Sequence, residues 1–214
     1  MRKDNEATHE TRNSERFNMI KLIREKKILR NWEKKGRPVP PPDLVKQKTV
    51  REYARKFSLD TLIETGTYLG DMVDATRDTF GRIFSIELDD ALYERARKKF
   101  SKFHYISIVQ GDSGEVLPVI LADIEQPCLL WLDGHYSGGD TAKGRLETPI
   151  LQELHYILAH DVERHVILID DARLFTGRNN YPTIEEIQEL VFTRHPDWIF
   201  EVKYDIIRIH VRAQ

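Results

Sequence analysis

Glu64-Thr65-Gly66-Thr67-Tyr68-Leu69-Gly70 is the stretch on which the fold turns. In front of it Thr61 to Glu64 reads as a short strand, and behind it Gly70 to Thr79 reads as a helix. The two glycines therefore sit in a tight strand-to-helix turn, where the missing Cβ lets a ligand approach the backbone closely. Around Gly66 the residues give E-x-G-x-x-x-G, so the dinucleotide fingerprint G-x-G-x-x-G is absent. Glu64 would also sit badly beside a pyrophosphate, and no P-loop sequence occurs anywhere in the chain.

Outward from this turn, strands and helices alternate. Arg82 to Glu87 predicts a strand, and Asp90 to Phe100 a helix with Leu92, Ala96 and Phe100 along one stripe. Tyr105 to Val109 is the third strand and Ser113 to Ala122 the next helix. Cys128 to Leu132 and Val166 to Ile169 run without a polar break, as strands buried on both faces do. Between them Pro149 to Ala159 predicts a helix, with Thr148 as N-cap and Pro149 at the first position. Tyr181 to Thr193 is a last helix, and Trp198 to Lys203 and Ile206 to Val211 are two strands around a tight turn near Tyr204-Asp205. The expectation is an α/β domain with a doubly wound, mostly parallel sheet, ended by an antiparallel hairpin whose last strand inserts antiparallel. Ligands of such sheets sit at the carboxyl ends of the strands, where the strand order reverses.

The rest of the chain bounds what surrounds that domain. It has 214 residues, 40% hydrophobic and 32% charged, with a mean hydropathy of -0.51, enough for a buried core. Apolar runs such as Val166 to Ile169 fall far short of the roughly 18 residues of a membrane span. Met1 to Glu10 is charged and shows no signal-peptide core, and a single cysteine, Cys128, offers neither an internal disulfide nor a cysteine zinc cluster. The expected setting is cytoplasmic, with Cys128 an inert core residue. The net charge of -2 hides an asymmetry: residues 1–57 hold 17 Lys and Arg against 8 Asp and Glu, a net of +9, which leaves -11 for the remainder. Asn13 to Lys35 reads as a helix, Pro38-Val39-Pro40-Pro41-Pro42 as a stiff connector, and Lys46 to Phe57 as a short helix. Residues 1–45 are thus a basic helical arm with a proline-rich linker, and 46–214 the α/β domain. The arm is expected to pack as a lid or in a homodimer, with an anionic membrane surface or an anionic acceptor as alternatives. Nucleic acid is disfavoured, since no recognition motif is present and only Phe17 and Trp32 interleave the basic residues.

The ends of the five parallel strands carry the candidate chemistry. Strand one ends in the Glu64–Gly70 loop, and strand two ends in Glu87, 21 residues after Gly66, where nucleotide-binding sheets place a carboxylate for ribose hydroxyls. Strand three ends in Gly111-Asp112-Ser113, strand four in Asp133-Gly134-His135, and strand five in Asp170-Asp171. So many carboxylates favour a cationic ligand rich in hydroxyls. S-adenosylmethionine, with its sulfonium, ammonium and ribose, meets that description. Asp112 is also a fitting N-cap for the helix after it.

This order of motifs, over roughly residues 48–214, resembles the class I S-adenosylmethionine-dependent methyltransferases, with their Rossmann-like sheet. Asp133-Gly134-His135-Tyr136 and Ile169-Asp170-Asp171 further resemble macrocin-type bacterial sugar O-methyltransferases. The resemblance implies that Glu64, Gly66, Thr67 and Gly70 cradle the methionine moiety and that Glu87 holds the ribose. It also puts Asp112 or Ser113 beside the adenine, with Asp133 at the cofactor's edge. In metal-dependent members an aspartate after strand four and an Asp-Asp pair after strand five bind Mg²⁺, here Asp133, Asp170 and Asp171. Three hard oxygen donors of this kind suit that ion.

His135 is the candidate general base and Asp133 its catalytic neighbour, for methyl transfer to a hydroxyl of a saccharide or other small-molecule or glycan acceptor. The longer loop Ser137 to Gly144 departs from the sugar enzymes and leaves the acceptor open. Lys143, Arg145 and Arg173 could grip an anionic acceptor, although Arg173 is expected to pair with Asp170 or Asp171. Tyr136 and Tyr181 are candidates for the acceptor pocket, and His155 and His160 are expected at the surface. The alternative from another class is a non-catalytic ligand-binding module acting through the basic arm. A nucleotide-dependent oxidoreductase is disfavoured by the missing fingerprint.

Overall fold

A computed structural model describes residues 19–20, 22–134 and 148–212. The chain divides into two compact units, Met1–Lys46 and Gln47–Gln214. In the first, residues 22–34 form helix α1, with 19 and 20 also helical. Gly36, at φ 79°, supplies the left-handed residue that ends it. The linker folds back on this helix, because the buried Trp32 donates from Nε1 to the Pro38 carbonyl at 2.9 Å. Helix α2 (Asp43–Phe57) begins three residues earlier than expected, directly after Pro42, with Asp43 in its first turn to complement the helix dipole.

The second unit is the α/β domain. Its elements run β1 (Thr61–Thr65), α3 (Asp71–Thr76), β2 (Arg82–Glu87), α4 (Asp90–Phe100), β3 (Ile106–Gln110), α5 (Ser113–Leu121), β4 (Leu129–Leu132), α6 (Ile150–Leu158), β5 (Val166–Ile169), α7 (Ile184–Arg194), β6 (Ile199–Lys203) and β7 (Ile206–His210). The seven strands form one sheet in the order β3-β2-β1-β4-β5-β7-β6. β1 to β5 are parallel, and β7 inserts antiparallel between β5 and β6. Tyr204 and Asp205 both take positive φ in the turn that joins β6 to β7, as a two-residue hairpin demands.

Period-two alternation sends each strand's side chains to two cores. Ile63, Leu130, Leu132, Ile167 and Ile169 pack with α5, α6 and α7, while Leu62, Leu129, Trp131, Val166 and Leu168 pack with α3, α4 and the part of α2 that belongs to the second unit, Val50, Tyr53 and Ala54. Both faces are covered, which is why β4 and β5 contain no polar residue.

Three further helix starts, besides that of α2, differ from expectation, each for a local reason. Gly70 is left-handed and lies outside α3 as its N-cap. At α6 the Pro149 carbonyl accepts the first helical bond, from Glu153 at 3.0 Å, so Pro149 is the flanking residue. Thr148 Oγ1 still accepts the Ile150 N–H at 3.3 Å. At α7 the start moves from Tyr181 to Ile184 because Thr183 and Glu186 form a reciprocal capping box. Among the described residues no helix is long and apolar enough to cross a membrane.

Candidate active site

The strand order reverses between β1 and β4, and the Gly66 turn lies across that crevice. Gly66 takes φ +86°, and a Cβ built there would stand 2.5 Å from the Asp133 carbonyl oxygen. Only glycine therefore lets the loop leave β1 against the end of β4. The loop is pinned by backbone bonds from Gly66 N and Thr67 N to the Ile86 carbonyl, at 2.9 and 3.1 Å, and from Asp133 N to the Thr65 carbonyl at 3.0 Å. From behind, α4 supports it. The Phe100 ring abuts Gly70, and Lys99 Nζ donates to the carbonyls of Leu69 and Gly70 at 3.1 and 3.3 Å. Nothing in the local pattern of α4 singled out Lys99 or Phe100 for this task.

Glu87 ties two loops together. Its Oε2 accepts the Tyr68 N–H at 2.7 Å and its Oε1 the Asp89 N–H at 2.9 Å. A carboxylate offers about four lone-pair sites, so acceptor capacity remains for a ligand hydroxyl. Asp112 caps α5 by accepting the Gly114 N–H at 2.9 Å, again with one carboxylate oxygen. Ser113 opens α5, and its Oγ would lie 3.3 Å from a Cβ on Gly134. Thr65 Oγ1 faces the same glycine from β1, buried and with no hydrogen-bond partner among the described residues.

Glu64 behaves differently from the other acids. It pairs in register with Ser85 on β2 and is only 2% exposed. Ser85 Oγ donates to Glu64 Oε2, and Thr67 Oγ1 and Ser85 Oγ share a bond of 2.6 Å. Burial, only partly offset by the Ser85 bond, pushes the Glu64 carboxyl up to about 8, with the negative charges of Glu87 and Asp71 adding to the rise and Lys99 opposing it. At neutral pH Glu64 is thus an uncharged, hydrogen-bonded group beneath the loop. Thr67, equally buried, spends its hydroxyl on the same network.

Pairing of β4 with β5 brings three acids together. One carboxylate oxygen from each of Asp133, Asp170 and Asp171 lies within 4.8 Å of the others. Asp170 Oδ1 accepts the Asp171 N–H at 2.8 Å, and Asp171 sits at φ 54°. Arg173 pairs with Asp171 Oδ1 at 2.7 Å and, from the β6–β7 turn, with the buried Asp205. Asp205 also accepts the Arg173 N–H at 2.8 Å. The sequence marks Asp205 only as a turn residue; its function as the anchor of Arg173 arises from β7 lying next to β5.

His135, Tyr136, Lys143 and Arg145 lie outside the described residues. Tyr181 packs edge-on against Phe175 and lines an open groove with Leu151, Pro182 and Leu190 between α6 and α7. His155 is exposed as expected, but His160 is half-buried, its Nδ1 3.0 Å from Nε2 of His165. His165 is fully buried at the other end of the sheet, where its Nδ1 accepts the Cys128 N–H at 3.1 Å. Burial first and His160 second push the His165 imidazole down to about 4, and burial pushes the Cys128 thiol up. Cys128 precedes β4 rather than opening it, and its burial and raised thiol make it inert.

The α/β fold is shared with solved structures of methyltransferases. The chain is similar to the O-methyltransferase TomG of Streptomyces achromogenes, involved in tomaymycin synthesis and solved with S-adenosylmethionine, at 16% identity over 89% of each chain with a TM-score of 0.60. It is similar to an O-methyltransferase of Bacillus cereus solved with S-adenosylhomocysteine, at 13% identity over 87% of this chain and 90% of that one, TM-score 0.57. The S-adenosylhomocysteine-bound methyltransferase PaMTH1 of Podospora anserina gives 16% identity over 86% and 87%, TM-score 0.55. No family model and no curated protein matches the chain.

Proposed function

We propose that this chain is an S-adenosylmethionine-dependent methyltransferase acting on a hydroxyl oxygen. The observation that carries the reading is the Gly66 turn seated on the Asp133 carbonyl, with Glu87, Asp112 and Asp133-Gly134 at the neighbouring strand ends. Those residues fit the cofactor. The Gly66 turn closed on the Asp133 carbonyl, two carboxylates with spare acceptor capacity and the Thr65 hydroxyl, without a hydrogen-bond partner among the described residues, gather at the strand ends where the order reverses. S-adenosylmethionine, held there, supplies an electrophilic methyl group on a sulfonium.

In this reading the Gly66–Gly70 loop, with Glu64 and Thr67 beneath it, orients the amino-acid end of the cofactor. Glu87 accepts from the ribose hydroxyls, and Asp112 and Ser113 border the adenine. Holding the reactants in line is the main contribution asked of the protein. The carboxylates attract a cation already in the ground state, so they supply affinity rather than rate. His135, which follows Asp133 and Gly134 in the chain, takes the acceptor's proton. Asp133, Asp170 and Asp171 form a hard-oxygen set that fits Mg²⁺, with one carboxylate oxygen of each within 4.8 Å of the others. There the ion would acidify a hydroxyl. A saccharide acceptor is the proposal that follows from the macrocin-type resemblance at Asp133 to Tyr136. The α/β domain of residues 46–214 carries these functions, in a cytoplasmic setting.

Calorimetric titration with S-adenosylhomocysteine tests the central claim. Wild type is expected to bind, and Glu87→Ala to bind at least about tenfold more weakly, or ~1.4 kcal/mol. A folded wild type that binds nothing would overturn the reading and favour a non-catalytic module. For the metal, Mn²⁺ serves as a paramagnetic stand-in. Asp170→Asn/Asp171→Asn is expected to lower Mn²⁺ affinity by about tenfold or more while S-adenosylhomocysteine still binds. Equal Mn²⁺ affinity in both proteins would remove the ion from the proposal.

A further inference from the structure

Large apolar side chains exposed to solvent cluster at one place. Of the nine among the described residues, Met19, Ile20, Leu22 and Ile23 lie at the start of α1, with Met19 64% and Ile23 60% exposed. Scattered single apolar residues need no explanation, but four within one turn and a half do. At 100° per residue, Met19 and Ile23 continue into Lys26, Lys27, Arg30 and Lys34 along the same side of the helix. The opposite side is already used: Ile28 and Leu29 are half-buried, and Trp32 is buried with its indole bonded to Pro38. Over residues 19–37 there are eight Lys and Arg against two Glu. Helix α1 thus presents an apolar tip followed by a basic stripe.

We infer that this face docks on an anionic lipid bilayer, the apolar tip entering the acyl boundary and the basic stripe lying against the headgroups. An amphipathic helix with a cationic polar face is suited to that interface, and each Lys or Arg near an anionic surface adds attraction. A polynucleotide would satisfy the charges but offer nothing to four aliphatic side chains. A second copy of the chain is a poorer occupant. Parallel pairing sets the basic stripe against itself, and antiparallel pairing sets the apolar tip against the partner's ammonium groups. The inference is independent of methyl transfer.

The test is co-sedimentation of the full chain with phosphatidylcholine–phosphatidylglycerol vesicles and with pure phosphatidylcholine vesicles. Wild type is expected to partition at least about tenfold more strongly onto the anionic vesicles, and less strongly as salt rises. Ile20→Glu/Ile23→Glu is expected to lose about tenfold or more of that partitioning, with an unchanged melting temperature, because both positions are exposed. Lys26→Glu/Arg30→Glu, a second pair of exposed positions, is expected to lose it as well. Three outcomes would overturn the inference. They are no vesicle binding by wild type, binding that Ile20→Glu/Ile23→Glu leaves unchanged, and tighter binding to an RNA or DNA duplex than to the anionic vesicles. A dimer that the same pair of substitutions converts to monomer would assign the face to a second copy instead.

Discussion

Gly66→Ala is expected to abolish S-adenosylhomocysteine binding and to lower stability by about 3 kcal/mol, a fall of ~6–12 °C in melting temperature. Two effects add. The residue sits at φ +86°, where a side chain costs roughly 1–2 kcal/mol. The new Cβ would also stand 2.5 Å from the Asp133 carbonyl oxygen and 2.9 Å from its carbon, so backbone must move. That backbone is held between Thr65 and the β4–β5 pairing and cannot yield alone. Gly36→Ala separates the effects. It shares the conformation at φ +79° but has nothing within 4 Å of its Cβ, so it should show the conformational cost alone and bind the ligand normally. The experiment is a pair of thermal melts with matching titrations. A Gly66→Ala protein that binds like wild type would show that the crevice beside Asp133 is not where the ligand lies.

The second large effect concerns pH. In the unfolded chain Glu64 titrates at its ordinary 4.5, and in the folded chain at about 8, because burial penalises the carboxylate. Between these values the native state holds a proton that the unfolded state has released. Stability from this group is therefore complete below pH 4.5 and is lost as the pH rises through 8, by about 1.4 kcal/mol per pH unit within the window. His165 works in the opposite sense between about 4 and 6.5, since its folded imidazole resists the proton that the unfolded one accepts. The two slopes offset each other in acid, which leaves Glu64 exposed from pH 6.5 to 8. Glu64→Gln keeps the shape and a hydrogen-bond acceptor for Ser85 but cannot ionise. Urea unfolding of both proteins across that range should show wild type losing stability and the variant holding steady, with the variant the more stable above pH 8. Parallel curves would mean that Glu64 is ionised in the folded protein at neutral pH.

What could be read in advance follows from how local each signal is. β2, α4 and β5 have the bounds expected of them, because a short run rich in β-branched and aromatic residues, a helical stripe and a wholly apolar run are properties of contiguous residues. The start of α7 is carried by Thr183-Ile184-Glu185-Glu186, whose capping box sets the first helical residue at Ile184 and not at Tyr181. Lys99, Phe100, His165 and Asp205 gave no local sign of their tasks. Each acts on a group distant in sequence: the Gly70 loop, Cys128 or Arg173.

By itself the sequence determined the alternation of strands and helices, the glycines at the β1 turn and the acids that end β1, β2, β3, β4 and β5. These depend on side-chain period and on backbone freedom, which neighbouring residues set. Tertiary structure alone decided which of those acids meet. Asp133 joins Asp170 and Asp171 because β4 pairs with β5, and Gly66 closes on Asp133 because β1 pairs with β4. It also decided charge. Glu64 looks like its neighbours as a letter, but its place between β2 and the loop removes it from water, and a carboxyl without water keeps its proton.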